Sequence, residues 1–418
     1  MNNVRTQNRY GTKIYVTFPD YPTFKLAPQW FRLTQEQGKH DVMEISFGSY
    51  DKHFIKVLKT GVTVEVKWTT EHAKGKWVGY AHSSEPITQA SLKKNLVIKA
   101  TGASFRLKEG GNKIWKNKTA PEIVADICKQ HKLKVVTDTS GIRFGMQSLV
   151  GHTYWEKILE LGDRIGFHAH VHGTTLYFQR IDKLIDQCSS VIPVMSYNDG
   201  TVNAGAVFEG QTLDYFKAKV GDLHEMSEHQ KKNKTVHGID PITGKKHSQT
   251  AKVTKVGKSI RESVSDALFK EVIPTVVADV KTVAKELAEG FAHLSRFSLH
   301  AEGTGQGDPK IAPYKTIEIN GTGQDTDGFW VIKRVEHFAT MDGRYSVEFT
   351  CMSDGTGKNK GGKFRTTKAT VVPTRNVAYE MATGGKQAEA TPTLSARTPL
   401  LKQTDGGFIS TVRRWEGR

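Results

Sequence analysis

Strict alternation of apolar and polar residues over the first hundred positions constrains this chain more than any other feature. In "VMEISF" (42–47) Met43, Ile45 and Phe47 fall on one face, and in "GVTVEVKW" (61–68) Val62, Val64, Val66 and Trp68 do so. A period of two is the repeat of a half-buried antiparallel strand. "KIYVTF" (13–18), "KWVGYAH" (76–82) and "NLVIKAT" (95–101) read the same way. Several short strands at this spacing predict a barrel or sandwich. The chain has 418 residues, enough for roughly two or three domains, and 37% of them are hydrophobic. With a mean hydropathy of −0.47, much of the chain must be surface, loop or interface.

The period then changes. "TAPEIVADICKQH" (119–131) opens with Thr119 and Glu122 in capping-box positions and Pro121 in the first turn, and Ile123, Val124, Ile127 and Cys128 form its apolar stripe. "TYWEKILELGDRIG" (153–166) repeats the signal with Thr153 and Glu156, and Gly166 fits the C′ position. Strands are expected after each helix, at "LKVV" (133–136) and "FHAHVHGTTLYF" (167–178), the latter turning at Gly173. From about 191 strand signals return in "AVFEG" (206–210), "DYFKAKVG" (214–221), "KTIEING" (315–321), "GFWVIKRVEHF" (328–338) and "RYSVEFTCM" (344–352). One long helix signal interrupts them at "TVVADVKTVAKELAEGFAHLSRF" (275–297), where Val276, Val280, Val283, Leu287, Phe291 and Leu294 recur at three or four residues. The expected fold class is therefore α+β, mainly β. It comprises a β domain over 1–110, a small α/β module over 111–190, and a second β domain over 191–355 split by a helix-containing insertion at about 222–297. A stretch flexible by composition follows over 356–418, with "GGKQAEATPTLSARTP" (384–399) reading as linker.

No run of about 18 apolar residues exists, so membrane insertion is not expected. The first ten residues lack an apolar h-region, and no signal peptide is expected there. Cys128, Cys188 and Cys351 lie far apart without ligand spacing and read as buried thiols of a protein assembled in a reducing cytosol. The formal net charge of +17 permits binding to nucleic acid or acidic surfaces without demonstrating it. Much of the surplus sits in two weakly apolar stretches, 229–258 and 357–375, which read as solvated loops.

Two stretches look like sites. "EINGTGQDTDGFWVIKRVEHF" (318–338) has glycines spaced as in a phosphate cradle. Such a cradle needs a following helix to supply amides, and here a β-branched, aromatic strand pattern follows. Asp325 and Asp327 lack EF-hand spacing, so the stretch reads as a turn between strands. "GTGQGDP" (303–309) reads likewise as a turn. In "HAHVH" His168, His170 and His172 share one strand face, as a metal site would require. With no carboxylate nearby, an exposed or interface histidine face is the better reading. The sequence has no G-x-S-x-G, no H-E-x-x-H and no cysteine–histidine context, so neither catalytic residues nor a metal or other cofactor are expected.

Three segments resemble the late control D family of phage tail hub proteins, which shares its fold with the head of the type VI secretion spike. They are "KTAPEIVADICKQHKLKV", "TYWEKILELGDRIGFHAHVHGTTLYF" and "GDPKIAPYKTIEINGTGQDTDGFWVIKRVEHFATMDGRYSVEFT". The third is similar to the family ending of Gly-Asp-Pro, a strand, a Gly-rich turn, W-x-I-x-x-V-x-H and a final Tyr-x-x-x-Phe strand. Their order and spacing fit the family across roughly 100–355; the N-terminal β region fits by position and pattern only. The resemblance implies a non-enzymatic structural hub in the virion, at the tail tip or baseplate, assembled in the host cytoplasm. It implies two similar β-barrel "tube" domains per subunit with the α/β module decorating the outside. Three copies would form a pseudo-six-fold ring adapting the tail tube, or a distal tail protein above, to a central spike below. Baseplate wedge and tape measure proteins are further implied partners, and DNA passes only in transit during ejection. Unlike the type VI spike protein, this chain ends too soon after its second β domain for a fused OB domain and needle. Phe408, Ile409, Val412 and Trp415 are the expected anchors through which the last stretch docks on a separate spike or neighbouring baseplate subunit. The competing readings are a tail-associated cell-wall hydrolase, the hub of a type VI or other contractile injection spike, and, from charge alone, a DNA-binding protein.

Overall fold

In the computed structural model of the protein the described residues are 12–22, 27–48, 50, 54–55, 58, 60–70, 73–88, 94–188, 192–197, 212–219, 233–239, 244, 246–253, 270–273, 281–294, 297, 299–322, 326–353 and 369–372. The N-terminal alternation becomes β1 (Lys13–Thr17), β2 (Pro28–Glu36), β3 (Val42–Phe47), β4 (Thr63–Thr69), β5 (Lys74–Thr88) and β6 (Lys94–Gly102). The α/β stretch gives β7 (Lys113–Thr119), α1 (Ala120–Gln130), β8 (Lys134–Thr137), β9 (Arg143–Leu149), α2 (Tyr154–Ile165), β10 (His168–His172), β11 (Thr175–Gln179) and α3 (Ile181–Cys188). Then come β12 (Val194–Ser196), β13 (Leu213–Lys219), β14 (Asn233–Ile239), β15 (Lys246–Val253), β16 (Lys270–Ile273) and α4 (Lys281–Leu294). The described chain finishes with β17 (Leu299–Gln306), β18 (Thr316–Asn320), β19 (Gly328–Thr340), β20 (Tyr345–Ser353) and β21 (Ala369–Val372).

The fold is mainly β. One 12-stranded, largely antiparallel sheet runs β1-β4-β5-β6-β3-β2-β19-β20-β17-β13, with β18 on β19 and β12 on β18. β19 is 13 residues long and serves both halves of the sheet. Its first residues pair with β18 (Thr316↔Val331), and after a bulge between Ile332 and Arg334 the rest pairs with β2 (Leu33↔His337). A bulge bends a strand and sharpens its twist, which lets β19 leave one half of the sheet and enter the other. Each half contains six strands. In the second half the Thr212 N–H, just before β13, donates to Ser196 O of β12 at 3.0 Å, bringing the two outermost strands together. In the first half β1, the outermost strand, lies against β2. Hydrogen bonds across β2 and β19 join the two halves into one curled sheet.

Each half encloses its own core. Phe31, Met43, Ile45, Val64, Val66 and Ile98 fill the first, and Ala339 and Tyr345 of the second half reach into it. Ile317, Ile319, Trp330, Ile332, Val347 and Phe349 fill the second. The alternating positions read from sequence are these inward residues, including Tyr345, Val347, Phe349 and Cys351.

Both capping boxes form. Thr119 N–H donates to Glu122 Oε2 at 2.8 Å and Glu122 N–H to Thr119 Oγ1 at 3.3 Å, opening α1. Thr153 and Glu156 do the same for α2 at 2.7 and 3.2 Å. Gly166 closes α2 in the left-handed region (φ 73°), and its missing side chain admits α4: a Cβ there would stand 2.9 Å from the Gly290 carbonyl carbon. Val283, Ala284, Leu287 and Ala288 of α4 join the core built by α1, α2 and the short sheets β10-β11-β8 and β7-β9. The insertion thus packs on the α/β module. Of the long helix signal at 275–297, residues 281–294 are helical and 275–280 lie outside the described residues.

Three expectations need correction. The basic stretch 229–258 holds the hairpin β14–β15, and 357–375 holds β21, which completes the sheet β16-β14-β15-β21 under α4. Threonine and valine carry these strands despite the surrounding lysines, and α4 covers one face. "GTGQGDP" is no turn over its first four residues, which lie in β17; Gly303 leaves room for the Phe349 ring. "AVFEG" (206–210) lies outside the described residues. The chain divides into two units, Met1–Pro373 and Thr374–Arg418, the second wholly outside the described residues.

Candidate functional site

The apparent sites resolve into structural roles. The glycine stretch at 318–338 is the connection between β18 and β19. Asp327 Oδ1 accepts from Thr322 N–H at 2.8 Å and from Thr322 Oγ1 at 3.0 Å, and Trp330 Nε1 donates to Thr326 O at 2.9 Å. Its carboxylate therefore ties the turn. Gly321 has φ 82°, and a methyl group there would run into the Tyr197 carbonyl oxygen. Only glycine meets both demands.

Among the described residues no group of three or more His, Cys, Asp or Glu, the histidine strand included, is placed to hold a metal. Nor is that strand an exposed face throughout. His168 Nδ1 lies 2.9 Å from Tyr314 Oη, His170 is buried with its ring 5.1 Å from that of Tyr314, and His172 stacks on His170. His168 and His170 line an internal interface between the module and Tyr314, while His172 at the end of the strand is exposed. Burial lowers the imidazole pKa of His168 to about 4 and of His170 to about 3. The sequence reading missed this depth because alternation gives a strand's faces but not what covers them.

Nucleophile and acid candidates fare no better. Cys128 and Cys351 are buried free thiols, with burial pushing Cys128 up to about 12 and Cys351 well above its usual value. The Cys188 side chain lies outside the described residues. His40 Nδ1 lies 2.7 Å from Ser104 Oγ with Asp41 adjacent in sequence. Yet Ser104 is 3% exposed, and Asp41 Oδ2 accepts from Gln35 Nε2 at 2.8 Å, so the three form no relay. Burial raises Asp41 to about 6. Phe408, Ile409, Val412 and Trp415 lie outside the described residues.

What the fold does build is a seam. On the buried face, Trp68 Nε1 of β4 lies 3.1 Å from Tyr345 Oη of β20, Tyr345 Oη 2.8 Å from His337 Nδ1 of β19, and His337 Nε2 2.9 Å from Ile311 O. A carbonyl only accepts, so Nε2 carries the proton and Nδ1 accepts from the Tyr345 hydroxyl, which accepts from Trp68. Donors run one way, from the first half to the second. Burial lowers His337 to about 4, which keeps it neutral as this order requires. On the opposite face a ladder of charges crosses five strands. Glu85 meets Lys99 at 2.8 Å, Lys99 meets Glu44 at 3.9 Å, Glu44 meets Arg32 at 3.8 Å, and Arg32 meets Glu336 at 3.0 Å. Cations and carboxylates alternate there. The sequence offered one signal for the seam, a histidine at an inward position of a strand; the ladder depends on strand order and left none.

Large apolar side chains stand exposed on strands at both ends of the sheet path: Tyr15 on β1 (55%), Val194 on β12 (50%) and Tyr215 on β13 (46%). Among the described residues no helix is long and apolar enough to cross a membrane.

No family model matches the chain, and no curated protein matches it. Solved structures match it in fold. The tail protein from Neisseria meningitidis MC58 is 12% identical, with a TM-score of 0.56, covering 83% of this chain and 98% of its own. The 43 kDa tail protein of prophage MuSo2 from Shewanella oneidensis is 14% identical, with a TM-score of 0.51, covering 82% and 98%. An Escherichia coli component of the type VI secretion system, described as structurally similar to T4 bacteriophage tail proteins, is 10% identical, with a TM-score of 0.52, covering 85% and 79%. This chain has the fold of phage tail proteins, as its resemblance to the late control D family implied.

Proposed function

We propose that the chain is the structural hub of a phage tail tip or baseplate, acting mechanically and not as an enzyme. The observation that carries this reading is the division of one continuous sheet into two six-stranded halves joined at β2 and β19. Treated as two near-equivalent barrels, the halves let three copies close a ring with pseudo-six-fold symmetry. Such a ring adapts a six-fold tail tube, or a distal tail protein, to a three-fold spike. Exposed Tyr15 at one end of the path and Val194 and Tyr215 at the other support contacts between neighbouring copies, because closure covers apolar surface that a single copy leaves in water.

The charged face of the sheet supports a role in DNA passage. Lysines alone on a bore would hold phosphate and release counterions, braking transit. A face on which Glu85, Glu44 and Glu336 alternate with Lys99 and Arg32 holds a duplex weakly. The last stretch, with Phe408, Ile409, Val412 and Trp415, is proposed to dock on the spike or a neighbouring baseplate subunit. Deleting 380–418 and finding spike attachment unchanged would remove that part. Wedge and tape measure proteins are the other proposed neighbours, within a virion assembled in the host cytoplasm.

A second reading, the hub of a type VI or other contractile injection spike, is favoured by the Escherichia coli match. Native mass measurement, alone and with the spike protein, tests the hub reading. Three copies bound to a trimeric spike support it, and a chain that stays single with its spike present overturns it.

A further inference from the structure

The α/β module carries a groove that none of the roles above uses. Its volume is about 560 Å³, and Phe105, Arg106, Lys108, Glu109, His131 and Lys132 line it. Phe105 gives it an aromatic side. Arg106 is held by Tyr80, its Nη2 donating to Tyr80 Oη at 2.6 Å and its guanidinium lying over the ring. Lys108 and Lys132 are exposed, and neither has an ion-pair partner among the described residues. The one carboxylate in the groove, Glu109, stands 71% exposed and 3.9 Å from His131 Nδ1. His131 itself is buried, and its Nε2 meets no hydrogen-bond partner among the described residues.

An independent observation marks Lys132. Helix α1 ends in a Schellman arrangement: Lys132 N–H donates to Lys129 O at 3.3 Å and Leu133 N–H to Cys128 O at 2.9 Å. That geometry puts residue 132 in the left-handed region, at φ 56°. Glycine is the residue that fits there without strain, and a lysine is strained. Lys132 thus stands at a position suited to glycine, on the rim of a groove with two further cations.

We propose that this groove binds an acidic, partly apolar segment of a partner protein, its carboxylates meeting Arg106, Lys108 and Lys132 and an apolar side chain meeting Phe105. The chain's own last stretch does not fit, since residues 374–418 contain more Lys and Arg than Asp and Glu. A second copy fits poorly for the same reason, at a net charge of +17 per chain. Duplex DNA presents charge every ~1.7 Å along a stiff rod and needs a long stripe of cations rather than a short groove with three. The identity of the partner as another tail protein rests on the hub reading; the binding itself does not.

The test is fluorescence anisotropy of the full chain with a fluorescein-labelled octapeptide of alternating glutamate and leucine, a lysine–leucine octapeptide and a 20-base-pair duplex. The acidic peptide is expected to bind, the lysine peptide not, and K108E/K132G to weaken binding roughly 10-fold. K132G alone is expected to weaken the peptide while raising the thermal midpoint, which separates lost binding from lost folding. Equal affinity for wild type and K108E/K132G overturns the proposal, as does a duplex that displaces the peptide at matched charge concentration. A chain that fails to form a ring leaves this titration unchanged, so the two readings fail separately.

Discussion

Residues 68, 345, 337 and 311 hold the two halves of the sheet in one hydrogen-bonded line. Tyr345→Phe removes both an acceptor and a donor, leaving Trp68 Nε1 and His337 Nδ1 buried without partners. Each such group costs about 1–3 kcal/mol, so urea denaturation should show the variant less stable by about 2–4 kcal/mol. A loss under 1 kcal/mol would mean the line contributes little. The histidines also set an acid limit. Burial holds His337 and His168 at about 4 and His170 at about 3, against 6.5 for a free imidazole. Between those values the unfolded chain binds more protons than the folded one, so stability is full above pH 6.5 and falls as pH drops toward 4. Asp41, raised to about 6, opposes this over part of the window because its folded form takes the proton first. His40, lowered to about 4, joins the three imidazoles, and together they outweigh Asp41 and the likewise raised Asp163. The thermal midpoint is therefore expected to fall from pH 6.5 to 4; a midpoint that rises would contradict the assignment of neutral, buried rings. At Lys132 the sign is reversed, with Lys132→Gly expected to gain about 0.5–1 kcal/mol in the same denaturation by removing left-handed strain.

Among the elements, those whose signals are local were legible from sequence. The two capping boxes, Thr119 with Glu122 and Thr153 with Glu156, define α1 and α2 within a residue, because caps act over one turn. The alternating faces of β3, β4 and β20 were legible for the same reason. β2, carrying "PQWFRLTQE", was not read as a strand, although it makes the joint with β19; what fixes it is its neighbours in the sheet rather than its own pattern. The hairpin β14–β15 hid within lysines, and β21 lies far along the chain from the β15 edge it completes. The groove escaped because Phe105, Lys108 and Lys132 meet only once α1 is folded over the turn that follows β6. Helix contact offers a test at this scale. Gly166 is at once the left-handed cap of α2 and the point where α4 comes closest. Gly166→Ala should cost about 2 kcal/mol, from the unfavourable φ together with the clash on Gly290, and calorimetry should register a lower midpoint. An unchanged midpoint would mean α4 packs elsewhere.

For the whole molecule, the decisive property is that both halves of the sheet have the same number of strands and share one seam. A buried one-way line of donors on one side and a ladder of charges on the other cross the joint between the halves. In the proposed hub, three copies would present six similar lobes to one neighbour and three repeats to the other. Electron-microscopic class averages of the purified full chain, viewed down the particle axis, test this most directly. Six lobes related by three-fold symmetry around an open centre are expected; an isolated two-lobed particle, or an assembly with no central opening, would overturn the hub reading.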